Sequence, residues 1–173
     1  ADINGMSDGV ANYTSLYSVF LGQHSGDGLS AGVDNTGVGY NALAATDSDG
    51  NTAMGYGALE QNDSGIGNTA FGASALNSNT TGLRNVAAGY MSLYKNTTGI
   101  DNVAVGATAL YNNISGENNI AIGPRALSLD SVPYNNVAVG MDAMLNASSV
   151  SDNIAIGTSA LANISGVSDN IAI

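Results

Sequence analysis

"NNIAIGPRAL" occupies Asn118 to Leu127, and "NNVAVGMDAM" follows from Asn135 to Met144, seventeen residues further on. Asn, a pair of β-branched residues around Ala, and Gly return in matching slots. Stepping by seventeen in both directions extends the pattern along the chain. Its anchor Asn recurs as Asn51, Asn68, Asn85, Asn102, Asn119, Asn136, Asn153 and Asn170. Asn35 precedes Asn51 by sixteen, so one repeat is a residue short. Further back the frame falls on Ser18 and Ala1, where the Asn is lost. A Gly four residues after each anchor, from Gly5 to Gly157, proves the frame. A short, sustained period is the mark of a solenoid, in which each repeat packs only on its neighbours.

Each repeat reads N-[VTI]-A-[VIM]-G-x-x-A-L, followed by eight polar, Gly-rich residues. The β-branched run is too short for a helix and is bounded by Asn and Gly, so it reads as a strand. The Ala-Leu step, as in Ala109-Leu110, is expected to form a second short strand or a corner, and segments such as "NTTGI" at Asn96 to Ile100 are turns. The expected fold is all-β: a parallel β-roll or β-solenoid of about ten coils. At the inter-strand spacing of about 4.8 Å it forms a rod roughly 48 Å long.

Stacking sets equivalent residues above one another. The Asn column (Asn51, Asn68, Asn85, Asn102, Asn119, Asn136, Asn153) then forms an amide ladder, and the Gly column marks a backbone conformation or close approach that a Cβ would forbid. Side chains alternate across a strand, so Val103 and Val105 point one way and Ala104 the other. Neither face is polar, and strands apolar on both faces are covered on both. One face is therefore expected inside the coil and the other against another chain. The small, repeated Ala surface suits close approach around a symmetry axis.

With 173 residues, 23 of them Gly, and only 10% charged, the composition is unlike an ordinary globular domain. The net charge of −11, with Arg84, Lys95 and Arg125 as the only basic residues, argues against nucleic acid and anionic membranes as partners. No apolar run is long enough to span a bilayer, and Ala1 opens no signal-peptide pattern. Zero Cys excludes disulfides and thiolate metal sites. The periodic 44% apolar content argues against disorder.

Catalytic chemistry is sparse. His24 is the single histidine, no nucleophile elbow is present, and His24 reads as a surface or end residue. Carboxylate pairs such as Asp47 and Asp49, or Asp27 and Asp34, lie in loops without an insertion to build a cleft. The expectation is a non-enzymatic chain without a cofactor. Asp101, Asp152 and Asp169, which precede their anchors, are weak cation candidates, because stacked carboxylates invite a bridging ion. Seven N-x-[ST] sequons, at Asn12, Asn62, Asn79, Asn96, Asn113, Asn146 and Asn163, are either turn residues or a row of glycosylation sites.

At "NNIAIG", "NNVAVG" and "DNIAIG" the chain resembles the head repeats of YadA-type trimeric autotransporter adhesins, with their N-S-V-A-I-G motif. Its longer form at Asn68 to Leu76 and Asn79 to Gly82 is also similar to repeats of phage tail-fibre proteins. The resemblance covers Asn35 to Ile173. It implies homotrimers and, for the adhesin heads, a left-handed parallel β-roll. The array is expected to divide into a degenerate end or cap over residues 1–34 and regular repeats over 35–173. The end coils lack the anchor Asn, carry Gly9 and Gly26 where later coils have Leu, and gather Tyr13, Tyr17 and Phe20. Ile171 to Ile173 begin another strand, and axial continuation or head-to-tail stacking is expected there.

The functional expectation is an extracellular structural fibre or filament segment, an adhesin head or tail-fibre shaft on a cell-surface appendage or virion. Its partners are copies of itself and a cell-surface receptor or glycan, without membrane insertion. The alternatives are a tailspike-like glycan depolymerase and an ice- or glycan-binding solenoid. Ice binding suits only the Thr36, Thr52 and Thr69 column, which gives way to Val86, Val103 and Ile120.

Overall fold

In the computed structural model, residues 17–173 are described. Ten strands follow in order: β1 (Val19–Leu21), β2 (Thr36–Val38), β3 (Thr52–Met54), β4 (Thr69–Phe71), β5 (Val86–Ala88), β6 (Val103–Val105), β7 (Ile120–Ile122), β8 (Val137–Val139), β9 (Ile154–Ile156) and β10 (Ile171–Ala172). Each pairs in parallel with the next, in one sheet whose spatial order is the sequence order. Register follows the repeat: Val103 lies beside Ile120 and Ala104 beside Ala121. The short coil keeps it, with Thr36 beside Thr52. The fold is a parallel β-solenoid with a period of seventeen residues. Its nine steps of about 4.8 Å span about 43 Å.

Each coil has one strand, not two. The Ala-Leu step is a corner, and its Leu takes the left-handed conformation, as at Leu76 (φ 50°), Leu110 (φ 51°) and Leu127 (φ 49°). That conformation costs a branched residue roughly 1–2 kcal/mol. Full burial of the Leu side chain offsets the cost, because the corner aims it into the lumen. The residue before each anchor is also left-handed, as at Asp101 (φ 57°), Asn118 (φ 57°) and Asp152 (φ 57°). Asn and Asp tolerate that region best among residues with a side chain, which explains their recurrence there.

The interior reverses the expected assignment of the strand faces. Ala53, Ala70, Ala87, Ala104, Ala121 and Ala138 point into the coil and are fully buried or nearly so. Thr52, Met54, Thr69, Phe71, Val86 and Ala88 in β3 to β5, and Val or Ile in β6 to β8, flank them on the outside. Size decides this, since polarity does not: the narrow lumen already holds a Leu and two polar columns, leaving room opposite them for a methyl group. The one large exception has its own compensation. Phe20 occupies the Ala slot of β1, with Gly37 above it and Gly26 in the Leu slot. A Cβ on Gly26 or Gly37 would lie 2.6 or 2.7 Å from the Phe20 ring. Tyr17, by contrast, is exposed; Gly9 and Tyr13 lie outside the described residues.

The Gly after each strand makes the bend into the next corner. Gly106 has φ 128°, and a Cβ there would lie 2.6 Å from the backbone carbon of Gly123 in the next coil. Backbone meets backbone, so neither side can yield. Gly106→Ala is expected to cost about 2–4 kcal/mol from backbone strain plus overpacking. Thermal unfolding checks this against Ala107→Ser, an exposed neighbour expected to stay within about 0.5 kcal/mol of the parent. A silent Gly106→Ala would contradict the stacking.

Candidate interaction surface

Two buried columns of Asn amides hold the coils in register. In the anchor column, Asn102 Nδ2 donates to Asn85 Oδ1 (3.1 Å) and to the Gly116 carbonyl of its own coil (2.7 Å). Asn102 Oδ1 accepts the Asn119 backbone N–H (3.0 Å) and Asn119 Nδ2 (2.9 Å). The ladder runs through Asn136 and Asn153 to Asn170. At its lower end Ser18 Oγ takes the amide's place and accepts the Asn35 N–H (3.0 Å).

The second column lies eleven residues after each anchor: Asn62, Asn79, Asn96 and Asn113. Each upper Nδ2 donates to the Oδ1 below, at 2.7 Å for Asn79 and Asn96 and 2.6 Å for Asn113. All four are fully buried, which rules them out as glycosylation sites in the folded protein: a glycan would need the same nitrogen brought to the surface. Asn146 and Asn163 sit one residue out of this frame. They are exposed, with Asn146 Nδ2 donating to Asn163 Oδ1 (2.7 Å). Asn12 lies outside the described residues. The column ends at Asp130, whose oxygens accept the Val132 and Val150 N–H groups. Asp130 lacks the amide NH2 group with which each Asn of the column donates downward. Asn113 Oδ1 is accordingly the one buried side-chain polar atom without a partner among the described residues. Above it Ala147 and Ile164 make the column apolar.

The shortened coil solves its missing residue with a side chain. In regular coils one carbonyl accepts several N–H groups from the coil below, as the Thr97 carbonyl does from Thr80, Thr81 and Gly82. The matching donors in the coil that starts at Ser18 are Ser30, Ala31 and Gly32. Asp47 Oδ1 accepts all three, at 2.9, 2.6 and 3.3 Å, while Oδ2 accepts the Ser30 hydroxyl at 2.8 Å. The carboxylate stands where a backbone carbonyl has been deleted. The Ala31 and Ser30 N–H groups, then the Ser30 hydroxyl, lower the Asp47 pKa to about 2. An unfolded Asp titrates near 3.9. Its stabilising contribution is therefore present above about pH 4 and is lost as pH falls through about 2. Hydrogen exchange should show Ser30 and Ala31 amides protected at pH 5 and progressively exposed towards pH 2, with Asp47→Ala exposed at both. Unchanged protection would disprove the substitution. Asp49 Oδ1 likewise accepts the Val33 N–H (2.9 Å). Both members of the first carboxylate pair thus hold backbone, and Asp27 of the second pairs with His24 (2.7 Å).

The cation candidates are separated by the same accounting. Arg84 grips Asp101 with Nε and Nη2, each at 2.7 Å, and holds its carboxyl below the usual range. Asp152 accepts from Asn135 Nδ2 (2.9 Å) and Asp169 from Ser168 Oγ (3.0 Å). The structure brings no three acidic or His side chains together among the described residues. Arg125 and Asp142 repeat the Arg84 arrangement at another corner. Such exposed pairs contribute little to stability, because water screens them.

Two outer surfaces stand out. The first is the outer sheet face, where Met54, Phe71, Val105, Ile122 and Ile156 are exposed, flanked by a parallel column that includes Val86, Ile120 and Ile154. No charged side chain interrupts either column within the strands. The second is an exposed ridge at the first corner. Tyr40 stacks on Tyr56 (5.5 Å between centroids), and His24 meets the Tyr40 ring edge-on (5.7 Å). Beside them, Glu60 accepts Asn41 and Asn77 amides at 2.8 and 2.9 Å. Sequence reasoning expected an outward apolar face but assigned it to the Ala column, and it missed this ridge. The signal for the ridge was Tyr at one repeat position in two successive coils.

Comparison of the chain with protein-family models, with curated proteins and with solved structures finds no match.

Proposed function

We propose that the chain is a non-enzymatic, extracellular structural segment, an adhesin head or tail-fibre shaft, that assembles as a homotrimer through the outer face of its sheet. The observation that carries this reading is the outward apolar column that runs the length of the rod through Met54, Phe71, Val105, Ile122 and Ile156, with a second column beside it that is Thr in β2 to β4 and Val or Ile from β5 onward. About 43 Å long and, with strands of three residues, about 10 Å wide, it covers roughly 400 Å² in plan. Apolar patches of this size on soluble proteins are often functional contact surfaces. Resemblance of the repeats to trimeric adhesin heads and tail fibres supplies the number three and the extracellular setting. The interior supports a mechanical role: two ladders and a Leu column make each coil a template for the next. The aromatic ridge at Tyr40 and Tyr56 would then remain on the flank of the fibre, available to a receptor or glycan.

Sedimentation velocity and electron microscopy test the reading together. The expected result is a rod with three times the chain mass. A stable, folded monomer at micromolar concentration would overturn it.

A further inference from the structure

We infer that the corner above Tyr56 is a binding cleft for one neutral sugar ring, seated between the Tyr56 and Tyr90 side chains over Ala73. The inference deepens the role proposed for the aromatic ridge and rests on that reading. The residue after each strand-ending Gly forms a column, which Tyr40, Tyr56, Ala73 and Tyr90 occupy in successive coils. Backbone bonds set them on consecutive rungs: the Ser74 N–H donates to the Tyr56 carbonyl (2.8 Å) and the Met91 N–H to the Ala73 carbonyl (3.0 Å). Tyr40 and Tyr56 stack with their planes 7° apart, so one face of Tyr56 is taken. Its other face looks along the column towards Ala73, whose methyl group is too small to cover it. Tyr56 is 60% exposed and Tyr90 56%, against 42% for Tyr40, which has a ring on both sides.

The dimensions and the polar neighbours choose the occupant. Two rungs separate Tyr56 from Tyr90, about 9.6 Å, so a guest ring at the Ala73 level lies about 4.8 Å from each tyrosine. Flat rings touch at about 3.5–4.0 Å, so a flat guest would leave a gap of about 1 Å on each side and forfeit much of its dispersion contact. A puckered pyranose is thicker, with C–H groups projecting from both faces, and fills that width. Beside the cleft, three polar side chains converge on Gly57. A Cβ there would lie 3.1 Å from Glu60 Oε2, 3.2 Å from Asn77 Nδ2 and 3.8 Å from Ser74 Oγ. The Asn41 and Asn77 amides hold Glu60 in place, one on each carboxylate oxygen (2.8 and 2.9 Å). Each oxygen keeps a lone pair for a further donor, and ring hydroxyls are such donors. The same carboxylate, on a chain of net charge −11, repels acidic sugars and nucleotides. Apolar walls with a few fixed polar groups at the edge are the usual build of a small-molecule site.

A glycan array followed by calorimetric titration tests it. The probes are neutral oligosaccharides of glucose, mannose, galactose and N-acetylhexosamine units, with sialylated and sulfated ones on the same array. At least one neutral series is expected to bind the parent chain, and the charged ones more weakly. Ala73→Tyr fills the cleft and completes the stack from Tyr40 to Tyr90, so it should abolish binding with the fold intact by circular dichroism. Tyr56→Ala and Tyr90→Ala should each weaken binding by about tenfold, and Glu60→Gln should weaken it severalfold. Tyr134→Ala, at an exposed tyrosine elsewhere in the coil, should bind like the parent. Failure of every neutral series to bind, or binding that survives Ala73→Tyr, overturns the cleft while leaving the fibre reading standing. Tighter binding of a flat ring such as indole overturns it too. A monomeric chain that binds sugar through the cleft, or one that releases cleaved oligosaccharides, supports the cleft and overturns the trimeric or the non-enzymatic reading instead.

Discussion

Replacing Asn102 with Ala is expected to destabilise the protein by about 3–5 kcal/mol, because it strands several buried polar groups at once. The Asn119 N–H and Nδ2 lose the Asn102 Oδ1 acceptor, and the Gly116 carbonyl loses its shorter donor. Each buried group left without a partner costs about 1–3 kcal/mol, and the shrunken side chain adds a small cavity. For a domain of this size the loss lowers the melting temperature by about 10 °C or more. Asn112→Ala, ten residues further along the same coil, lies outside the ladder and should change it by less than about 0.5 kcal/mol. Asn102→Asp should be no better than Ala: its oxygens still accept from Asn119, but its buried charge faces Asn85 Oδ1 without a donor between them. Equal melting temperatures for all three variants would remove the ladder from the account of stability. Hydrogen exchange adds a local readout. Coils touch only their neighbours, so protection should fall first at Val86, Val103 and Ile120, whose backbone N–H groups pair with the anchor carbonyls of the following coils.

The sequence made the period and the strand legible, since every coil restates them and a slip of one residue would turn the strand inside out. It also located the short coil between Asn35 and Asn51. Its repair was hidden, because an Asp in a polar turn looks like any solvated carboxylate until its oxygen is found above three N–H groups. The inside and outside of the strand were not legible either. Alternation distinguishes apolar from polar, and Val-Ala-Val offers two apolar faces; the size of the lumen chooses between them. Asn62, Asn79, Asn96 and Asn113 met the pattern for glycan acceptors, yet each is followed three residues later by Gly65, Gly82, Gly99 or Gly116. A Cβ on those glycines would collide with the Asn oxygen. That paired spacing separates them from Asn146, which is followed by Ser149; Asn163 shares it through Gly166, but a Cβ there would meet nothing within 4 Å. Asp101 and Asp152 suggested cations because their column was read as charge. Its common property is a left-handed backbone, which Asn118, Asn135 and Gly67 share without any charge.

The reversed strand faces lead to the sharpest test. Ala104→Glu is expected to prevent folding, whereas Val105→Glu should leave a folded chain that no longer assembles. Ala104 is fully buried inside the coil, between Ala87 and Ala121 on the neighbouring rungs. A Glu there has neither the volume to fit nor a counter-charge to meet. An unpaired buried charge costs several kcal/mol, which with the steric overload consumes most of a domain's net stability. Expression should give insoluble protein or a chain without the β-sheet signal. Val105 is 38% exposed on the outer face. Glu there remains hydrated in the single chain and costs the fold about 1 kcal/mol or less. In the assembly it would bring like charges together near one axis in a dry interface, which costs far more than the contact gains. Circular dichroism and sedimentation velocity separate the outcomes. A folded monomer from Val105→Glu alongside a failed Ala104→Glu is the expected pair. If instead Ala104→Glu folds as a monomer while Val105→Glu still assembles, the small Ala column is the contact between chains and the Val column lines the lumen.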